Sequence, residues 1–150
     1  NRALVRGAYP QLSVFLRLLA TPSRRPLLFH CSHGKDRTGL AAALLLSALG
    51  VSWSTVLADY LRSNDTPHAH NVAFRRRLHR MAPWLTRRPW ETPNVAPLVR
   101  LLSVDAEFLG AALDEMQSSH AGVDGYLGER LGVHPALRET LRSALLTSAA

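Results

Sequence analysis

A single cysteine, Cys31, stands six residues ahead of an arginine, Arg37, within the run His30-Cys31-Ser32-His33-Gly34-Lys35-Asp36-Arg37-Thr38-Gly39. Cys31 is the only cysteine of the chain and Lys35 the only lysine, in a sequence that otherwise uses arginine at every basic position. A thiol attacks phosphorus only as the thiolate, and a free cysteine with a pKa of about 8.5 is mostly protonated at neutral pH. The run supplies what would depress that pKa: the N-terminus of a following helix, the Lys35 and Arg37 cations, and backbone N–H groups from Ser32 to Arg37 curling around an anion. Gly34 lets the loop turn without a side chain in the way, and Gly39 lets the helix pack closely. The planar Arg37 guanidinium can hold two phosphoryl oxygens as charge spreads in a transition state, which a lysine could not. The Thr38 hydroxyl can donate toward the sulfur and help it leave. Ser32, His33, Gly34, Lys35, Asp36, Arg37 and Thr38 thus read as a phosphate cradle around Cys31.

A departing alkoxide or phenoxide needs a proton, so a general acid is expected. Residues 1–30 contain no Asp or Glu. Asp36, inside the loop, is the leading candidate, with Asp59, Asp65 and Glu91 behind it. His30 reads as a buried residue bonding the loop backbone, since a helix-activated thiolate needs no neighbouring base. His33 faces either a ligand or solvent. A lone cysteine is commonly a buried small hydrophobe. Here the histidine before it and the two glycines, Lys, Asp and Thr after it, in a strand–loop–helix setting, favour the phosphate loop.

The elements that must position this loop follow from periodicity. Leu12, Phe15, Leu16 and Leu19 recur at helical spacing over Tyr9 to Ala20, and Thr21 to Arg25 breaks the pattern with turn chemistry. Pro26-Leu27-Leu28-Phe29-His30 is almost wholly apolar, which predicts a strand buried on both faces, as in a parallel sheet. An Ala- and Leu-rich helix is expected from Thr38 to Leu49, stopping at Gly50, and Ser52 can cap another from Trp53 to Ser63. Further helices are expected around Val72 to Met81, from roughly Asp105 to Ser119 behind a Ser103 cap, from Val123 to Leu131, and from Pro135 to about Leu146. A Pro- and Trp-containing loop, Pro83 to Pro97, separates them. One strand has no ladder partner for its backbone groups. The missing strands are expected before Asn1, or from a piece such as Ala3 to Val5.

At 150 residues and 47% hydrophobic, the chain is expected to form one domain, residues 1–150, with a core of its own. The net charge of +7 is uneven: residues 1–100 hold 15 basic and 4 acidic side chains, and residues 101–150 hold 3 and 7. The basic part favours anionic partners, whether phosphorylated ligands or an anionic membrane surface. Arg75, Arg76, Arg77, Arg80, Arg87 and Arg88 form a second basic cluster that reads as a solvated face or as a steering surface, with Trp84 and Trp90 beside it. Nucleic acid is not an expected partner, because these arginines lack interleaved stacking aromatics on a recognisable platform. Asp124 and Glu129 have no metal-ligand spacing with any histidine, so no metal and no cofactor is assigned. Leu40 to Leu49 is too short to span a bilayer. The chain begins at Asn1 without a charged-then-apolar signal region, so a targeting segment is read as absent or removed, with something upstream missing. Redox compartment, localisation (cytoplasmic or secreted) and oligomeric state stay open.

His30 to Gly39 resembles the HCxxGKDRTG loop of the atypical bacterial tyrosine phosphatases, a family acting on phosphotyrosine, phosphoserine and phosphoinositides. Asp59-Tyr60-Leu61-Arg62-Ser63-Asn64 and Gly122-Val123-Asp124-Gly125-Tyr126-Leu127 are similar to recurring segments of the same family, so the resemblance runs from about Tyr9 to the end. It implies Cys31 as nucleophile, Arg37 as phosphate clamp, Asp36 as in-loop acid and Lys35 as a second cation suited to multiply phosphorylated inositol lipids. It also implies an α/β fold, a parallel sheet flanked by helices, with a helical lid that would fall at residues 66–100. This chain would supply the C-terminal portion of such a fold, mostly helical with one central strand and without the N-terminal strands. The function so implied is hydrolysis of phosphotyrosine, extending to phosphoserine, phosphothreonine and phosphoinositides, through a cysteinyl-phosphate. The alternatives are an inositol-polyphosphate (phytase-like) cysteine phosphatase and a non-catalytic module that binds phosphate or acidic lipid.

Overall fold

The structure, a computed structural model, describes residues 2–65, 76, 77, 80 and 103–146. The expected helix at Val72 to Met81, the Pro83 to Pro97 loop, the lid at 66–100, and Glu91, Trp84, Trp90, Arg75, Arg87 and Arg88 lie wholly or largely outside these residues. Arg76, Arg77 and Arg80 are exposed.

The described part is a set of helices around one apolar core. It comprises α1 (Arg2–Gly7), α2 (Tyr9–Ala20), α3 (Asp36–Ala48), α4 (Trp53–Leu61), α5 (Ala106–His120) and α6 (Pro135–Leu145). A helical turn, Val123–Gly125, runs into a π-helical stretch, Tyr126–Arg130, between α5 and α6. Leu12, Leu16 and Leu19 put one face of α2 into the core, and Leu40, Ala41, Ala43, Leu44 and Ala48 do the same for α3. Leu16, Leu44 and Leu109 are fully buried, each contributing about 1.5–3 kcal/mol relative to exposure.

Local chemistry sets the helix ends. The Ser52 hydroxyl caps α4 by accepting from Thr55 N at 3.4 Å. α5 is capped by Asp105, whose Oδ1 accepts from Glu107 N at 3.0 Å, and not by Ser103. Asp105 has the extended backbone (φ −134°, ψ 142°) that lets a short side chain fold back on the first turn. α3 stops at Gly50 (φ +95°), where Arg142 of α6 lies against the turn and its Nε donates to Leu49 O at 3.2 Å. α5 ends on a left-handed Ala121 (φ 54°), followed by Gly122 (φ 105°). Gly125 then passes so close to the His120 carbonyl that no Cβ could fit. Of the two glycines of the Gly122 to Leu127 segment, Gly125 is therefore required by packing and Gly122 by its positive φ.

Two expectations are corrected. Ala3 to Val5 is not a strand but lies in α1, where burying Val5 against the core and receiving the Tyr126 phenol on its carbonyl (2.7 Å) favour a helix. Pro26 to His30, expected as a central strand buried on both faces, forms no strand, and no strand occurs among the described residues. Leu27 and Phe29 pack against the core, Phe29 with its ring centroid 4.6 Å from that of Phe15, whereas Leu28 is 89% exposed. Apolar character drives one face of this segment inward. Ladder hydrogen bonds need a second strand, and the described residues hold none.

α1 is tied across the molecule to α5. The Glu115 carboxylate, 4% exposed, accepts from Arg6 Nε and Nη2 at 2.8 and 2.9 Å and from Ser119 Oγ at 3.0 Å. The Arg6 hydrogen bonds hold the Glu115 carboxyl below its ordinary value against the opposing effect of burial. Every polar atom of this buried carboxylate thus has a partner, which is what makes a buried charge tolerable.

Candidate active site

The Leu27 to Phe29 segment, anchored by its inward face, delivers Cys31 to the start of α3. Gly34 makes the turn at φ +64°, a left-handed conformation that other residues reach only at a cost, although no atom crowds the space its Cβ would take. α3 begins at Asp36, two residues earlier than expected, with Gly39 N donating to Lys35 O at 2.8 Å. Lys35 sits at the N-cap without a side-chain cap, so the first-turn N–H groups of a long helix are turned to the loop.

Cys31 is half-buried. Burial pushes its thiol up, but hydrogen bonds from the Thr38 hydroxyl and from the backbone N–H groups of Thr38, His33 and Lys35 outweigh it and bring the pKa to about 6. Thr38 Oγ1 is buried with no hydrogen-bond partner of ordinary geometry among the described residues, and its hydroxyl acts on the sulfur as the largest of the influences that lower the thiol pKa. At neutral pH such a thiol is largely thiolate.

Arg37 is exposed over the loop, its Nη2 3.4 Å from Ser32 Oγ. It lines, with His30, Thr38, Phe15, Phe29 and Leu40, a mainly apolar groove of about 620 Å³. His30, expected to be buried, is exposed on this groove. Ser32 and His33 are exposed on the loop. Asp36 is part-exposed at the first position of α3, and its Oδ2 lies 3.9 Å from Lys35 Nζ. The Lys35 side chain is only 12% exposed, its ammonium 5.1 Å from the centroid of the Phe108 ring on α5. Asp59 and Asp65 are exposed, Asp59 lining a small cavity of about 100 Å³ with Gly34, Thr38 and Tyr60. The structure therefore brings Cys31, Ser32, His33, Gly34, Lys35, Asp36, Arg37 and Thr38 around one loop. Asp124 and Glu129 serve elsewhere, paired with Arg138 (2.7 Å) and His120 (3.2 Å).

Three supporting residues carry no chemistry visible in the loop run itself. The Tyr60 ring of α4 occupies the space a Cβ at Gly39 would need, with Cε2 only 2.5 Å from it. The Tyr60 phenol is buried, has no hydrogen-bond partner among the described residues, and is pushed up to about 12 by burial and by the negative charges of Asp36 and Asp105. Asn64 bonds both backbone groups of Val104 at 2.9 Å, two residues before α5 begins. Phe108 carries Lys35. The Asp59 to Asn64 similarity is the signal for Tyr60 and Asn64. Nothing in the sequence points to Phe108.

A sequence profile described as a tyrosine phosphatase family matches residues 1–147. The chain belongs to that family. Among curated proteins of the tyrosine phosphatase family, a Cupriavidus necator protein named as a tyrosine-protein phosphatase is 43% identical over 114 residues, covering 75% of this chain and 37% of that protein. The triple specificity protein phosphatase PtpB of Mycobacterium tuberculosis is 34% identical over 149 residues, 93% of this chain and 50% of its own length. The chain thus spans half or less of the length of these two family relatives.

Proposed function

We propose that this chain is the phosphate-handling part of a phosphatase that hydrolyses phosphomonoesters through a cysteinyl-phosphate. The observation that carries the reading is the Cys31 thiol at about 6, placed at the N-terminus of α3 with Arg37 above the same loop. The Cys31 thiolate attacks phosphorus, the S–P bond forms and the ester P–O bond breaks, and the leaving oxygen takes a proton from Asp36. Water then attacks the phosphoenzyme, Asp36 takes back a proton, the S–P bond breaks, and phosphate leaves with the thiolate restored. The loop N–H groups and the Arg37 fork stabilise the equatorial oxygens throughout. Thr38 supports sulfur as a leaving group.

The substrate reading is phosphotyrosine, extending to phosphoserine, phosphothreonine and phosphoinositides. The breadth is supported by the triple specificity named for PtpB. The uneven positive charge suits acidic partners, an anionic membrane surface included. An α/β fold, as expected of the family, is part of this reading. In the test, Cys31→Ser abolishes hydrolysis of an aryl phosphate while vanadate or phosphate still binds. Residual turnover at the wild-type rate would end the proposal. Asp36→Asn should lose far more rate on a poor leaving group than on a good one, and equal losses would remove it as the acid. A non-catalytic phosphate-binding module is the second reading, favoured by the want of ladder partners, among the described residues, for the segment that leads into Cys31. Tight vanadate binding without turnover would select it.

A further inference from the structure

The Tyr60 phenol takes no part in the steps above, yet it stands directly behind the loop. Its ring packs where a Cβ of Gly39 would be, and Cζ, the ring carbon that bears the hydroxyl, lies 3.7 Å from that position, one residue past Thr38. Tyr60 is 6% exposed, and its oxygen has no hydrogen-bond partner among the described residues. Thr38 Oγ1 is a second buried oxygen without a partner of ordinary geometry. Such groups are seldom left unpaired, because each has given up the hydrogen bonds it made to water. Both residues line one cavity of about 100 Å³, together with Gly34, Gly39, Asp59 and Ser63. That volume is several times the ~10–15 Å³ a single water needs, and Gly34, Asp59 and Ser63 are exposed, which gives solvent a way in.

Proton count assigns the roles of the two oxygens. The phenol keeps its proton to about 12, pushed up by burial first and then by the negative charges of Asp36 at the start of α3 and Asp105 at the head of α5; Asp59 lines the same cavity from α4. Tyr60 is therefore a donor throughout the neutral range. The Thr38 hydroxyl has one proton, which acts on the Cys31 sulfur, and two lone pairs. A water that accepts from Tyr60 and donates to Thr38 satisfies both oxygens, and by polarising the threonine hydroxyl it strengthens the bond to the thiolate. We propose that a water bound in this cavity links the Tyr60 hydroxyl to the Thr38 hydroxyl, making Tyr60 a positioning residue that acts on the Cys31 sulfur from α4. This rests on the thiolate-loop reading above and deepens it.

The test reads the thiol directly and needs no turnover. Tyr60→Phe keeps the ring against Gly39 and removes only the oxygen. It should lower the thiolate-to-thiol ratio about twofold to threefold, a rise of roughly 0.3–0.5 in the pH midpoint of iodoacetamide alkylation. In a Thr38→Val background the same substitution should leave the midpoint unmoved. Ala42→Val, at a residue that also lines the cavity, narrows it while sparing both hydroxyls, and should shift the midpoint as Tyr60→Phe does. A crystal structure at high resolution should show a water within about 3 Å of both oxygens. The inference falls if Tyr60→Phe alone leaves the midpoint unmoved, if its shift persists in the Thr38→Val background, or if the crystal shows no water between the oxygens. A gain in urea stability on Tyr60→Phe would also overturn it, since that is the signature of a dry, unpaired phenol. Should Ala42→Val fail to fold, Tyr60→Phe in the two backgrounds decides. A responsive midpoint without turnover in the unsubstituted chain would support this inference and count against the phosphatase reading.

Discussion

The chemistry of this chain is concentrated in residues that are neighbours in sequence, which is why it is legible from the order of residue types alone. A thiol, a guanidinium, two glycines and a hydroxyl within one turn of chain need only a bend and a helix start to converge, and both are signalled locally. The support is not legible in this way, because Tyr60, Asn64 and Phe108 reach the loop through packing between helices and no spacing rule reports that. His30 departs from its expected burial for the same reason, since burial depends on what lies across the groove. Thr38→Val should raise the Cys31 pKa from about 6 toward that of an ordinary thiol, seen as an upward shift in the pH midpoint of alkylation by iodoacetamide, with Thr38→Ser retaining the low midpoint. An unmoved midpoint would remove the hydroxyl as a cause. Gly39→Ala places a methyl group against the Tyr60 ring and should cost about 1–3 kcal/mol in urea unfolding, as overpacking does. A neutral result would mean that Tyr60 yields without consequence.

Helix boundaries with a chemical signal fall where the sequence places them at Ser52, Gly50 and Pro135, because a hydroxyl, a positive φ or a fixed φ acts on the backbone alone. Pro26 to His30 behaves differently: an apolar run states only that the segment is drawn to a core, and a strand also needs a second backbone beside it. Ala3 to Val5 errs in the other direction. Its three residues are too few to show a period, and the helix is decided by distant partners, Tyr126 for Val5 and Glu115 for Arg6. That last pair makes a prediction for the α1–α5 tie. Glu115 has a folded-state pKa below its ordinary 4.5, so the folded chain binds that proton more weakly than the unfolded chain. The resulting stability is complete above the ordinary carboxylate range and is lost as pH falls through the folded value. Urea midpoints of the wild type should therefore decline more steeply than those of Glu115→Gln between about pH 6 and about pH 3, the two lines converging on the acid side. Parallel lines would show that the tie adds nothing.

At the scale of the whole molecule, a helical body with one apolar core carries a basic loop at the head of α3, and the excess positive charge lies in the part of the chain that holds it. α2 and the Phe29 side of the incoming segment seat the loop from one direction, α4 presses on it through Tyr60, and α5 reaches it through Phe108. The loop is thus held by helices from separate parts of the sequence, with the Thr38 hydroxyl and the loop N–H groups on the half-buried thiol bringing its pKa to about 6. The central claim is that this thiol takes the phosphoryl group onto itself. Rapid acid quench of the unsubstituted chain with an excess of aryl phosphate, followed by peptide mass spectrometry, tests it most directly. The account predicts a single acid-stable phosphoryl adduct on the peptide containing Cys31, absent from Cys31→Ser. Turnover without that adduct, or an adduct on any other residue, would contradict it.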